Sequence, residues 1–374
     1  MNPSKPRVDR RFSVAPMLKW TDRHCRYLMR ILHPEALLYT EMVTTGAILR
    51  GNTERWLSFE PAEKPLALQL GGNEPDALAT CARYAEQAGY DEINLNCGCP
   101  SDKVQQGQFG ACLMKNPALV AECVRAMRET VNIPVTVKHR LGVDDTTDYP
   151  LLADFIARLA AAGCDAFIVH ARNAWLEGLN PKQNRTVPPL KYPWVYQLKR
   201  DFPEQTVVLN GGVNNFTDVD THLQHVDGVM VGREAYQNLY FLREIYDHMH
   251  GSKSPSLLRA EVIEQLIPYA RSQLARGVRL HQITRHILTL YKGQPGARKF
   301  RRLLAQKGLS DGADSSVLEE AAALMTRQSN AIDATPGDDA KTTARINDGL
   351  SPQGGATIGQ SDKHWPTVSV TQRS

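Results

Sequence analysis

Apolar residues recur at every second position in short runs along residues 12–233, and stretches with the spacing of an amphipathic helix separate those runs. Strands are predicted at Phe12–Met17, Leu37–Met42, Pro65–Gly72, Asp91–Asn96, Pro134–His139, Ala166–His170, Val207–Gly212 and Gly228–Arg233. Helices are predicted from Thr21 to Leu32, Pro75 to Gln87, Pro117 to Thr130 and Leu151 to Ala162, with Thr21-Asp22 opening the first. No connection reads as a hairpin. Eight strands alternating with helices fit an α/β chain of the (β/α)8 TIM-barrel class. A doubly wound sheet is the alternative, but no G-x-G-x-x-G follows the first strand.

Composition adds a second part. The 374 residues are enough for one large domain and a smaller one, and 42% hydrophobic content can bury a core. The net charge of +4 is unevenly spread: residues 253–310 hold twelve lysines and arginines against two acids. That block, interleaved with Tyr269, Tyr291 and Phe300, has the footprint of a polyanion binder and favours nucleic acid. The expected organisation is a loose N-terminus (1–10), a barrel (11–250), a basic helical domain (251–326) and a tail (327–374) too polar to order itself. No apolar run reaches the length of a membrane span and no signal peptide is evident, so a cytoplasmic protein is expected. Seven scattered cysteines argue against a disulfide framework.

In a barrel the active site lies at the carboxyl ends of the strands. Those ends carry Pro16-Met17, Glu41, Gln69, Asn94 and Asn96, Lys138, His170 with Arg172, Asn210-Gly211-Gly212 and Gly232-Arg233. The last two, bare backbone amides plus a cation at strands seven and eight, suit a phosphate cradle. Lys138 on a buried strand calls for a cavity or an anion, with His170 one strand along. Gln69, Asn94 and Asn96 can give and take hydrogen bonds at a heteroaromatic ring. Cys97 and Cys99 stand where the fourth strand meets its turn; Gly98 interrupts the alternation, so spacing leaves open which thiol faces the crevice. Cys97, Cys99 and Cys112 lack the C-x-x-C spacing of a zinc site, and no metal is expected.

Taken in order, Ala15-Pro16-Met17, Thr40–Val43, Gln69–Gly71, Asn94–Ser101, Val137-Lys138, Val169–Arg172, Asn210–Gly212 and Val231–Arg233 resemble the tRNA-dihydrouridine synthases. Leu179–Pro189, Ile283–His286 and Gly293–Arg298 look like the bacterial A subfamily of that family. Cys97 departs from the subfamily, which has an apolar residue there. The resemblance spans about residues 11–325. It implies an FMN-dependent barrel with a C-terminal helical domain that grips tRNA. It implies reduction of uridines 20 and 20a of the D-loop to dihydrouridine with NADPH. Separately, no obligate protein partner is evident and a monomer is expected. It assigns FMN to Pro16, Met17, Leu18, Gln69, Lys138, His170, Asn210, Gly211, Gly212, Gly232 and Arg233. It assigns tRNA contacts to Asn96, Lys182, Gln183, Arg185, Thr186, Arg298, Lys299, Arg301 and Arg302, and the proton to Cys99. A dihydropyrimidine or dihydroorotate dehydrogenase would also pair FMN with a cysteine or serine, but lacks the basic block. A non-catalytic RNA-binding protein would not need Lys138, His170 and the glycine pairs at strand ends.

Overall fold

The computed structural model describes residues 8–333, apart from Thr147 and Ser254. Nine parallel strands follow one another: β1 (Phe12–Val14), β2 (Leu38–Tyr39), β3 (Val43–Thr44), β4 (Leu66–Gly71), β5 (Glu92–Cys97), β6 (Val135–Arg140), β7 (Ala166–His170), β8 (Thr206–Asn210) and β9 (Gly228–Val231). Hydrogen bonding runs β1-β9-β8-β7-β6-β5-β4-β2, and a parallel bridge from Ser13 to Leu37 closes the ring. Both β2 and β3 pair with β4, so they are two halves of one barrel strand. The single strand expected over Leu37–Met42 is broken because Thr40 Oγ1 accepts the Gln69 N–H at 3.0 Å, a place the ladder would give to a backbone carbonyl. The architecture is therefore the expected eight-stranded α/β barrel. The helices Pro75–Ala88 and Pro117–Thr130 form where their spacing and N-terminal prolines predict them.

Alternation along each strand sorts the core into two shells. Ile93, Leu95 and Cys97 of β5, Val135 and Val137 of β6, and Phe167 and Val169 of β7 pack outward under the helices. Inside the barrel, Ala15, Leu37, Tyr39, Ala67, Ile168, Val208 and Met230 form an apolar half. The other half, from β4 to β6, is polar and buried: Gln69, Glu92, Asn94, Asn96 and Thr136. Burying these groups costs little only because they satisfy one another. Arg10 reaches in at the amino-terminal end of the strands, with Nε and Nη2 donating to Glu92 Oε2 at 2.9 and 2.6 Å. Residues 8–10 thus include an anchored cation rather than a wholly loose terminus; residues 1–7 lie outside those described.

After the barrel come the helices Arg259–Ala275, Leu280–Thr284, Ala297–Lys307 and Ser316–Asp333. Through residue 330 they form one compact unit with the barrel. The last helix runs to Asp333, so the start of the expected tail is helical, and the rest lies outside the described residues. Tyr27 on the first barrel helix stacks on Tyr269 at 3.8 Å, and Tyr269 OH bonds His24 Nδ1 at 2.8 Å. Tyr291 packs on Phe300. Tyr269, Tyr291 and Phe300 are all buried, which corrects their expected part in binding nucleic acid: they are core. No described helix is long and apolar enough to cross a membrane.

Candidate active site

The turn after β5 is shaped by Asn96. Its Oδ1 accepts the backbone N–H groups of Gly98 and Cys99 at 3.1 and 3.0 Å, and its Nδ2 donates to Gln69 Oε1 at 2.8 Å. With both ends of its amide engaged, Asn96 is first of all the group that holds the cysteine turn. Cys99 is half-exposed at the barrel mouth, 3.5 Å from Ser101 Oγ. Cys97 is fully buried among the outward-facing residues, and burial pushes its thiol well above the usual range. The geometry therefore separates the two thiols that spacing left open.

Beside the turn, the inner ends of β6 and β7 carry Lys138, in register with Asn96, and His170, both half-buried. Lys138 Nζ donates to Asn210 Oδ1 at 2.9 Å, which links β6 to β8. Burial, and then the nearby Arg140, bring Lys138 down to about 7. Burial and the charges of Arg140, Lys138, Arg172 and Arg185 hold His170 well below its ordinary value, as a neutral imidazole. Arg172, Arg185 and Arg233 crowd the same rim: Arg233 Nη2 donates to the Arg185 carbonyl at 3.2 Å, and Arg172 Nη1 donates to the Pro188 carbonyl. None of these cations pairs with a carboxylate among the described residues. Such a cluster is electrostatically complementary to an anion.

The glycines fit the same ligand. Gly211 and Gly212 have φ of +110° and +79°, which L side chains rarely adopt. A Cβ on Gly211 would lie 2.6 Å from His170 Cδ2, and one on Gly212 would lie 2.5 Å from Tyr192 Oη. Only bare backbone allows the imidazole and the tyrosine to lie so close. Gly232-Arg233 follows β9, beside the Ala15–Met17 end of β1, to which it is tied by Ala15 N–H donating to the Val231 carbonyl at 2.8 Å. Pro16 and Met17 are half-buried there, whereas Leu18 is 71% exposed on the rim.

The segment 182–186 overhangs the mouth. Asn184 is its buried peg: Nδ2 donates to the carbonyls of Trp175 and Leu179, and Oδ1 accepts the Trp175 N–H. Lys182, Gln183, Arg185 and Thr186 are left exposed around it. Farther out, Ala297, Phe300 and Leu304 bury one face of their helix, and Arg298, Lys299, Arg301 and Arg302 project from the other. The basic block is not uniformly free. Arg259, Arg271, Arg276, Arg285, Lys292 and Lys307 are paired with Glu244, Glu319, Glu60, Asp22, Glu234 and Glu320. Among the described residues the four cations of 298–302, with Lys253 and Arg279, have no carboxylate partner, so the free charge is concentrated on one helix.

A profile of the family described as dihydrouridine synthase (Dus) matches residues 13–326. The chain belongs to the dihydrouridine synthase family. It is 53% identical over 321 residues to the tRNA-dihydrouridine(20/20a) synthase of Vibrio parahaemolyticus, covering 86% of this chain and 98% of that one. It is 56% identical over 316 residues to the protein of the same name from Escherichia coli K12, covering 84% and 91%.

Two residues of this dihydrouridine synthase escaped the sequence reading. Arg140 is buried and donates to the carbonyls of Gly98, Asn173 and Asn184 at 3.0, 3.0 and 2.8 Å. It ties the cysteine turn to the overhanging loop. The strand ends one residue later than predicted, and two steps from Lys138 the same inner face presents Arg140. Asn184 lies inside the Leu179–Pro189 motif and the 182–186 segment, but no spacing marked it as the buried peg of that loop. The helical region has a seat of its own. Asp22, which caps the first barrel helix, accepts from His286 Nε2 at 3.1 Å and from Arg285. His286 Nδ1 bonds Tyr236 Oη at 3.2 Å, and Tyr236 stacks on Trp20 at 4.5 Å.

Proposed function

We propose that this dihydrouridine synthase reduces uridines 20 and 20a of the tRNA D-loop to 5,6-dihydrouridine, with FMN as cofactor, NADPH as reductant and Cys99 as proton donor. The observation that carries the reading is a half-exposed thiol on an Asn96-held turn, at the same barrel mouth as a cluster of cations with no carboxylate partner among the described residues. The names of the relatives supply the substrate and the positions.

The residues present fit FMN. Asn210, Gly211, Gly212, Gly232 and Arg233 would take its phosphate, with Arg185 close by. Pro16, Met17, Leu18, Gln69, Lys138 and His170 would border the isoalloxazine ring. Bound there and reduced by NADPH, FMN supplies a hydride equivalent to C6 of the uracil. Lys138, pulled toward neutrality by burial, regains its charge beside an anionic partner and so favours binding of one. Cys99 gives its proton to C5, which completes the saturation of the C5–C6 bond, and the thiolate recovers a proton from solvent. Arg140 and Asn96 keep the turn from moving while the proton passes. Lys182, Gln183, Arg185 and Thr186 would guide the extruded nucleotide into the mouth. Arg298, Lys299, Arg301 and Arg302 would hold tRNA phosphates, and that attraction offsets an unstacking cost of about a few kcal/mol.

The direct test is oxidation of the pre-reduced enzyme by tRNA lacking dihydrouridine, with the product located by mass spectrometry. Reoxidation without modification at 20 or 20a refutes the substrate assignment. Two variants separate the parts. Arg233→Ala is expected to weaken FMN retention about tenfold or more, the worth of a hydrogen bond to a charged phosphate. Flavin content equal to wild type would remove Arg233 from the phosphate site. Lys299→Ala with Arg302→Ala is expected to weaken tRNA binding and to flatten the slope of log K against log salt by about one per lost phosphate contact. Flavin reduction by NADPH should not change in that protein.

A further inference from the structure

We propose that Thr136 and Glu92, deep in the barrel, are positioning residues for Cys99. They act through a chain of hydrogen bonds whose direction a carboxylate dictates. The inference rests on the reading of Cys99 as the proton donor.

The chain starts at Glu92, which is fully buried. Its Oε2 accepts twice from Arg10, and its Oε1 accepts from Tyr39 Oη at 2.7 Å and from Thr136 Oγ1 at 2.6 Å. An ionised carboxylate can only accept. The single Thr136 hydroxyl proton therefore goes to Glu92, with the Ile93 carbonyl a longer alternative at 3.2 Å. Thr136 Oγ1 is left as an acceptor, and it takes Asn94 Nδ2 at 2.9 Å. That turns Asn94 Oδ1 toward Gln69, whose Nε2 donates to it at 2.7 Å. Gln69 Oε1 is then free to accept Asn96 Nδ2 at 2.8 Å, which leaves Asn96 Oδ1 facing the N–H groups of Gly98 and Cys99.

Each amide is thus oriented by the group beneath it. If Asn96 were reversed, an NH2 group would face two N–H donors and the turn would lose both bonds. The chain zigzags across β4, β5 and β6 and carries the acceptor character of Glu92 from the Arg10 end of the barrel to the cysteine turn. Arg10 supplies the counter-charge of that carboxylate through an ion pair at 2.6 Å.

Thr136→Val keeps the shape of the side chain and deletes the hydroxyl, so Asn94 Nδ2 loses its acceptor and the chain is cut from Glu92. Thr136→Ser keeps the hydroxyl. In the FMN-loaded, NADPH-reduced valine variant, single-turnover oxidation by unmodified tRNA is expected to slow about 10- to 100-fold, the effect of a misplaced reacting group. The rate is read per bound flavin, because Gln69 of the chain borders the FMN site; the tRNA dissociation constant should stay near wild type, so the loss falls on kcat rather than KM. Thr136→Ser should restore the rate. A normal rate in folded Thr136→Val, or a slow Thr136→Ser, overturns the proposal. If the valine variant does not fold, Thr136→Ala deletes the same hydroxyl without bulk and is read in its place. A wild-type enzyme that unmodified tRNA does not reoxidise overturns the functional reading itself, a different result from a normal Thr136→Val.

Discussion

Cys99→Ala is expected to keep its flavin, to be reduced by NADPH and to bind tRNA, while uridine reduction falls by about 10²–10⁴-fold, the usual worth of a general acid. The turn is held by the Asn96 amide and by Arg140 donating to the Gly98 carbonyl, and neither contact uses the thiol. Deleting Sγ should therefore leave the backbone in place. Cys97→Ala is the matched control. That side chain lies fully buried on the outer face of β5, away from the mouth, so its loss should lower stability modestly and spare the transfer step. The measurement is single-turnover oxidation of pre-reduced enzyme by unmodified tRNA. A slow Cys97→Ala beside a normal Cys99→Ala would reverse the roles of the two thiols.

Arg26→Met is expected to cost about 3–5 kcal/mol of stability, because it strands a buried carboxylate. Arg26 Nε donates to Glu63 Oε2 at 2.7 Å, and Arg26 Nη1 donates to the Thr21 carbonyl at 2.7 Å. Glu63 is fully buried, and its other oxygen accepts the Glu60 N–H at 2.7 Å. Methionine fills much of the space and supplies no charge. The double variant Arg26→Met with Glu63→Gln should recover part of the loss, since it removes the orphaned ion. Denaturation midpoints of the three proteins give the comparison; a single variant as stable as wild type would mean that Glu63 finds another partner or a proton.

The barrel was legible because strand alternation and helix spacing are local. The fate of Cys97 was legible too, had the alternation been carried one step further: Ile93, Leu95 and Cys97 share a face, and Gly98 interrupts the pattern only after them. Arg140 was hidden by a strand boundary placed one residue early. The aromatics were misread for a different reason. Leu266, Tyr269, Ala270 and Gln273 form a helical stripe that marks a buried face, and counting aromatics among cations ignores that spacing. The net charge of the block does not show which of its cations are free, because Glu60, Asp22 and Glu234, far away in sequence, and Glu244, nearer by, come to meet some of them. Local charge counts cannot see partners that only folding supplies.

The seat of the helical region on the barrel carries a consequence for how such chains can be rebuilt. Asp22 with Arg285 and His286, Tyr236 with His286, Tyr27 on Tyr269 and Glu60 with Arg276 are shared between the two parts. A truncation after residue 250 would bare Tyr27 and His24 to water and leave Asp22 and Glu60 without their cations. The C-terminal helices are accordingly not an interchangeable cassette. A chimera that grafts them onto a related barrel has to bring Asp22, Tyr27, Glu60 and Tyr236 along, or the two halves will meet with mismatched faces.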